Sequence, residues 1–197
     1  MIKAFIFDFF GVIGASTYQL IAEKIEFEKN NDQLTAIFDL HKSLDNGFIN
    51  QEEFLQQYAE IAHLSYDDFL KIYHDSSKRF SVSDKLISYI GNLKKQGYKV
   101  GLLSNVNKEA YEEFVEPIVL ETGYFDAVMP SFKTGLVKPA TAAFIKTAKA
   151  LKVQPEEAVM VDDLEVNCRA AESVGLKAVV YSNYHQFTVV VKELELL

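Results

Sequence analysis

Ala4-Phe5-Ile6-Phe7-Asp8-Phe9-Phe10-Gly11-Val12-Ile13 sets one carboxylate inside an apolar run that ends at Gly11 and Gly14. A short apolar run closed by glycine reads as a buried strand entering a tight turn, with Asp8 at its carboxyl end. A lone carboxylate is expensive to bury unless it is compensated. An acid so placed therefore holds a metal, does chemistry, or caps the turn or helix that follows.

The rest of the chain supplies the frame around that strand. Val100-Gly101-Leu102-Leu103, Asp126-Ala127-Val128-Met129, Ala158-Val159-Met160-Val161 and Lys177-Ala178-Val179-Val180-Tyr181 read as further strands. Helical spacing fills the gaps from Asn107 to about Leu120, from about Ala140 to Leu151 and from Glu165 to Val174. Strands separated by helices predict an α/β fold, a doubly wound parallel sheet, in which ligands bind beyond the carboxyl ends of the strands.

The segment 15–82 breaks this rhythm. Leu34, Ile37 and Phe38, then Phe54, Leu55, Tyr58, Ala59 and Ala62, recur at helical intervals, and Asn50 with Glu53 forms a capping-box pattern. This predicts a helical subdomain, 15–82, inserted in a core made of 1–14 and 83–197. The core resumes with a helix from Asp84 to about Lys95, with Ser83 as N-cap and Gly97 as its stop.

With 197 residues, 49% of them hydrophobic and 24% charged, the chain can bury one core of ordinary domain size together with a subdomain. The net charge of −8, with Arg79 and Arg169 the only guanidinium groups, speaks against nucleic acid as a partner. The single Cys168 allows no internal disulfide, which fits a reducing cytoplasm. Asp8 interrupts the apolar N-terminus as a signal peptide, and no stretch approaches a membrane span, so no membrane partner is expected.

Asp45-Asn46-Gly47-Phe48-Ile49-Asn50-Gln51-Glu52-Glu53 looks like half a calcium loop, but Lys42 and Leu44 stand where its first carboxylates are needed. A turn between helices is the expectation there. His41, His63, His74 and His185 do not pair at metal-ligand spacing and suit surface or packing roles. Tyr18, His41 and Lys42 are the insert's candidates for facing a substrate.

Reactive groups gather at the strand ends. Asp8 ends the first strand, Ser104-Asn105 the second and Asp162-Asp163 the fourth, while Lys138 lies in the loop after the third. Each alone has a bland explanation as a turn residue, a solvated charge or a helix-dipole partner. A parallel sheet nevertheless brings them to one edge. Carboxylates, a lysine and a hydroxyl there suit phosphoryl transfer: an aspartate attacks phosphorus, a magnesium ion screens the anions, and Lys and Ser bind the transferring oxygens.

Phe7-Asp8-Phe9-Phe10-Gly11-Val12-Ile13, Leu102-Leu103-Ser104-Asn105, Gly135-Leu136-Val137-Lys138-Pro139 and Val161-Asp162-Asp163-Leu164-Glu165-Val166-Asn167 resemble, in order, the four motifs of the haloacid dehalogenase superfamily. The resemblance covers nearly the whole chain. It implies a Rossmann-like core with strand order 5-4-1-2-3 and a helical cap after the first motif. Asp8 is then the nucleophile, Ser104, Asn105 and Lys138 bind phosphate, and Mg2+ is held by Asp8, Asp163 and the backbone carbonyl of Phe10. Asp162 supports that metal shell or joins it. The Ser104-Asn105 ending and the Asp162-Asp163 pair most resemble sugar-1-phosphate phosphatases and the phosphatase domain of soluble epoxide hydrolase. The implied protein is a cytoplasmic phosphatase of a small phosphorylated metabolite, as a monomer or homodimer.

One position departs from that pattern. Most phosphatases of the superfamily carry a second aspartate two residues after the nucleophile, where this chain has Phe10. Such a general acid–base group is worth about 10² to 10⁴ in rate, or roughly 3 to 5 kcal/mol. Its loss favours substrates with good leaving groups, such as anomeric, acyl or aryl phosphates. A 2-haloacid dehalogenase would tolerate Phe10, but it needs no magnesium site and uses an arginine near the cap, and the first 78 residues hold none. A phosphometabolite-binding or protein-binding member with weak catalysis is the remaining alternative.

Overall fold

A computed structural model of the chain describes residues 1–25 and 31–193. Its elements run β1 (Ala4–Phe7), α1 (Thr17–Ala22), α2 (Asn31–Asp45), α3 (Gln51–Ile61), α4 (Tyr66–Ser77), α5 (Asp84–Lys95) and β2 (Lys99–Ser104). They continue with α6 (Lys108–Ala110), a π-turn (Tyr111–Val115), α7 (Glu116–Thr122), β3 (Ala127–Pro130), α8 (Ser131–Thr134) and α9 (Thr141–Ala150). A 3-10 turn (Pro155–Glu157), β4 (Ala158–Asp162), α10 (Glu165–Glu172), β5 (Lys177–Val180) and α11 (Tyr184–Glu193) complete them.

The five strands form one sheet in the order β3-β2-β1-β4-β5, which is 5-4-1-2-3 read from the other edge. Every pairing is parallel, with Phe7 opposite Leu102 on one side and Val161 on the other. Successive side chains on a strand point to opposite faces, and β1 divides accordingly. Ala4 and Ile6 join Leu103, Phe144 and Met160 in the core on one face. On the other face Phe7 meets Phe187 of α11 edge-on, and Phe5 meets Tyr98. Both faces are covered, so β1 carries no polar residue until Asp8.

The chain divides into two compact units, Met1–Gly14 with the described chain from Val82 onward, and Ala15–Ser81. Val82, which the sequence reading leaves in the insert, bridges Gly14 in the first unit. The second unit contains α1 to α4 and, among the described residues, no strand. Local signals set its helix ends: Ser16 caps α1, Asn50 and Glu53 form the full capping box of α3, and Ser65 caps α4. On α2, Ile37, Leu40, His41 and Leu44 are buried, while Leu34 and Phe38 face outward at 52% and 62% exposure. Asp45 to Gln51 forms the end of α2, a turn and the start of α3, the expected turn between helices.

The stretch expected as one helix from Asn107 contains a π-turn. The Glu116 N–H bonds the Tyr111 carbonyl five residues back, and Pro117 follows without an N–H to restore the α register. The turn buries Tyr111, Phe114 and Val115.

Candidate active site

The site is built where the central strands stop. Asp8 is the first residue beyond β1, and its N–H still pairs with the Val161 carbonyl of β4 at 2.9 Å. The chain then turns at once: the N–H of Ile13 and that of Gly14 both reach the Phe9 carbonyl, and Gly11 takes φ +84°. Positive φ favours glycine, and this glycine also clears space. A β-carbon on Gly11 would lie 2.6 Å from the carboxyl carbon of Asp163.

Lys138 lies at the centre, 3% exposed. Its ammonium is 2.7 Å from Asp8 Oδ2 and 2.6 Å from Asp162 Oδ2. Asp8 Oδ1 accepts the Phe9 N–H at 2.7 Å. Asp162 is fully buried, and its Oδ1 accepts both the Leu164 N–H and the Asn167 side-chain amide at 2.9 Å. Both Asp162 oxygens are therefore engaged within the protein. Asp163, half-buried, completes a group of three carboxylates whose ligand atoms lie within 4.8 Å of one another. It is the one metal-capable group of this kind among the described residues.

Electrostatics follow from this crowding. Burial pushes the Asp8 carboxyl up to about 8 against the pull of Lys138, with Asp162 and Asp163 adding to the rise. Burial and the neighbouring Asp162 also raise Asp163, opposed by Lys138. For Lys138, burial works against the charged form, but Asp162 and Asp8 outweigh it and hold the ammonium above its usual range. Three carboxylates around one ammonium leave the pocket short of positive charge, and this donor set of hard oxygens suits a divalent cation such as Mg2+.

Ser104 closes β2, the neighbour of β1, and its buried Oγ has no hydrogen-bond partner. A buried hydroxyl left unpaired costs about 1–3 kcal/mol, so this one is suited to a ligand's oxygen. Asn105 is engaged differently from a phosphate ligand: its side-chain amide bonds the backbone of Lys138 on both sides, at 2.8 and 2.9 Å. Phe10 is half-exposed, and its ring meets Phe9 and Phe114 edge-on with centroids 5.0 and 6.3 Å away.

The structure thus gathers Asp8, Lys138, Asp162 and Asp163 in direct contact or close approach, with Ser104 and Asn105 at the adjoining strand end. Sequence reasoning assigned no role to Asn167 or to the approach of Gly11 to Asp163. The Asn167 signal was present in the fourth motif, five residues after Asp162 and across a helix start. His41, in the second unit, is buried among Tyr18, Phe54 and Tyr58 with neither ring nitrogen hydrogen-bonded, and the Tyr18 hydroxyl donates to Asp45.

Known proteins resemble this chain in sequence or in fold. A glyceraldehyde 3-phosphate phosphatase of Pyrococcus furiosus is 36% identical over 104 residues, covering 51% of this chain and 43% of that protein. Pyrophosphatase PpaX of Bacillus cereus is 26% identical over 147 residues, 75% of this chain and 62% of that protein. The chain thus spans less than two thirds of the length of these curated relatives. Among solved structures, a HAD family enzyme from Bacteroides thetaiotaomicron superposes with a TM-score of 0.72 at 18% identity, covering 96% of this chain and 98% of that one. A complex of that enzyme with magnesium and inorganic phosphate superposes at 0.66 and 22% identity, covering 91% and 93%. At such identities these likenesses speak to the fold. The haloacid dehalogenase-like hydrolase family matches residues 2–175, most of the chain, and the chain belongs to that family.

Proposed function

We propose that this protein is a magnesium-dependent phosphatase that acts on a small phosphorylated metabolite through an aspartyl-phosphate formed on Asp8. One observation carries the reading: a buried lysine bridges Asp8 and Asp162 beside a third carboxylate and an unpartnered serine hydroxyl. The matched relatives, a glyceraldehyde 3-phosphate phosphatase and a pyrophosphatase, support the same chemistry.

In this reading a carboxylate oxygen of Asp8 attacks phosphorus, the bond from phosphorus to the leaving oxygen breaks, and that oxygen departs with the electron pair. Water then attacks the phosphorus of the acyl phosphate, releasing inorganic phosphate and restoring the carboxylate. Lys138 and the Ser104 hydroxyl bind the phosphoryl oxygens, and Asp162 holds the Lys138 ammonium in place. Asp8, Asp163 and the Phe10 carbonyl would hold Mg2+, which screens the nucleophile from the phosphoryl oxygens. Magnesium in the bound complex of the Bacteroides enzyme is consistent with this assignment.

Phe10 supplies no proton to a leaving group, so substrates with weakly basic leaving groups are favoured. The test is a phosphate-release screen over sugar, acyl and aryl phosphates, with and without magnesium, with Asp8→Asn as the blank. Release that depends on both Asp8 and magnesium is the expected result. Halide release from 2-haloacids that survives EDTA would overturn it in favour of a dehalogenase, and no release above the blank would favour a binding protein.

A further inference from the structure

Lys138 sits in a loop, and a lysine is a point charge on a flexible stem, so its precision depends on how both ends are held. The ammonium end is fixed between Asp8 and Asp162. The backbone end is fixed by Asn105. The Lys138 N–H donates to Asn105 Oδ1 at 2.8 Å, and Asn105 Nδ2 donates to the Lys138 carbonyl at 2.9 Å. One residue on, the same stitch recurs in the opposite direction. The Val106 N–H donates to Ser131 Oγ at 2.9 Å, and that hydroxyl donates back to the Val106 carbonyl at 3.1 Å. Ser131 is buried.

We propose that Asn105 is a positioning residue for Lys138 and that, with Ser131, it locks the end of β2 to the loop carrying that lysine, so that Ser104 and Lys138 move as one body. The proposal rests on the reading of Lys138 as a phosphate-binding group. Only an amide of this length serves, because it presents an acceptor and a donor side by side. Aspartate would set an oxygen against the Lys138 carbonyl, and glutamine adds a methylene. The reciprocal pair also fixes which end of the Asn105 amide is oxygen, since the opposite orientation would break both bonds.

A double-mutant cycle on binding of inorganic phosphate in the presence of magnesium separates positioning from direct contact. Asn105→Ala is expected to weaken phosphate binding by about tenfold in the wild-type background and by less than about twofold in a Lys138→Met background, because its effect passes through Lys138. Equal losses in the two backgrounds would mean that Asn105 contacts phosphate itself and would overturn the proposal. Asn105→Asp should behave like the alanine variant rather than rescue it. If Asn105→Ala does not fold, Ser131→Ala carries the same cycle with a smaller loss. Failure of the wild type to bind phosphate would overturn the functional reading and this proposal with it, whereas wild-type binding with additive losses overturns the proposal alone.

Discussion

The carboxylate of Asp163 rests against the bare α-carbon of Gly11, in the space that any larger residue's β-carbon would take. Gly11 therefore serves two needs at once, the turn after the nucleophile and the seat of an acid from a different strand. Gly11→Ala would meet both the +84° φ and the Asp163 carboxyl. Backbone strain of this kind costs about 1–3 kcal/mol. The expected outcome is a lower melting temperature together with a weakened magnesium requirement curve, shifted to higher metal concentration, whereas Gly47→Ala, at φ +73° with open space around it, should lower stability alone. Magnesium titrations of activity beside thermal unfolding separate the two effects.

Lys138 donates to two buried carboxyl groups, and its removal leaves the fully buried Asp162 without its counter-charge. Breaking a buried ion pair from one side destabilises by about 3–5 kcal/mol. Lys138→Met should lose that much in urea unfolding without metal. The double variant Lys138→Met with Asp162→Asn should recover part of the loss, because one orphaned charge is gone. A double variant less stable than Lys138→Met would count against this account of the pocket.

The sheet was legible because its signals are local. Apolar runs ending in Asp8, Ser104 and Asp162 are strands in the structure, and the Asn50–Glu53 box and the Ser83 cap stand where spacing put them. Convergence of Asp8, Lys138 and Asp162 followed from the parallel topology rather than from any one motif. Contacts between loops were not legible. Nothing in the sequence pairs Ser131 with Val106, which are 25 residues apart, or separates the inward Ile37 from the outward Leu34 and Phe38 before the partners of α2 are known. Pro117 did carry a signal for the π-turn, since a proline inside a helical pattern must break a hydrogen bond.

His41 gives the second unit an acid-sensitive element. Burial lowers its pKa from 6.5 to about 3. Above pH 6.5 the ring is neutral in both states and the contribution to stability is fully present. As pH falls below 6.5, the unfolded chain takes up a proton that the folded chain refuses, so stability drops, by about 2 kcal/mol at pH 5. His41→Phe should remove that slope and also relieve two unpaired ring nitrogens among Tyr18, Phe54 and Tyr58. Urea unfolding at pH 7 and pH 5, followed by circular dichroism, tests this. A wild type and a variant with equal acid sensitivity would refute it.

Metal binding should appear as stability. A ligand that binds only the folded state adds about 2.7 kcal/mol at about a hundredfold excess over its Kd. Magnesium is expected to raise the melting temperature of the wild type, and EDTA to reverse the rise. Asp163→Asn should abolish the increment while leaving the metal-free protein as stable as the wild type or more so, since it relieves repulsion among three carboxylates. A variant that loses metal-free stability and keeps the magnesium increment would place the ion elsewhere.

Phe10 decides how the rate depends on the leaving group. With no acid at that position, negative charge builds on the departing oxygen, so hydrolysis should slow steeply as that oxygen becomes more basic. Across a series of substituted aryl phosphates extended to alkyl phosphates, the wild type should give a steep line of log kcat/KM against leaving-group pKa. Phe10→Asp sets a carboxyl at a half-exposed position beside Phe9 and Phe114. It should flatten that line, raising alkyl phosphates by up to about 10²-fold while changing activated aryl phosphates little. The lost ring contacts should lower stability, so kcat/KM is compared at a temperature where both proteins are folded. A shallow wild-type line would mean that a water or another side chain already supplies the proton, and the preference for good leaving groups would then have no basis in Phe10.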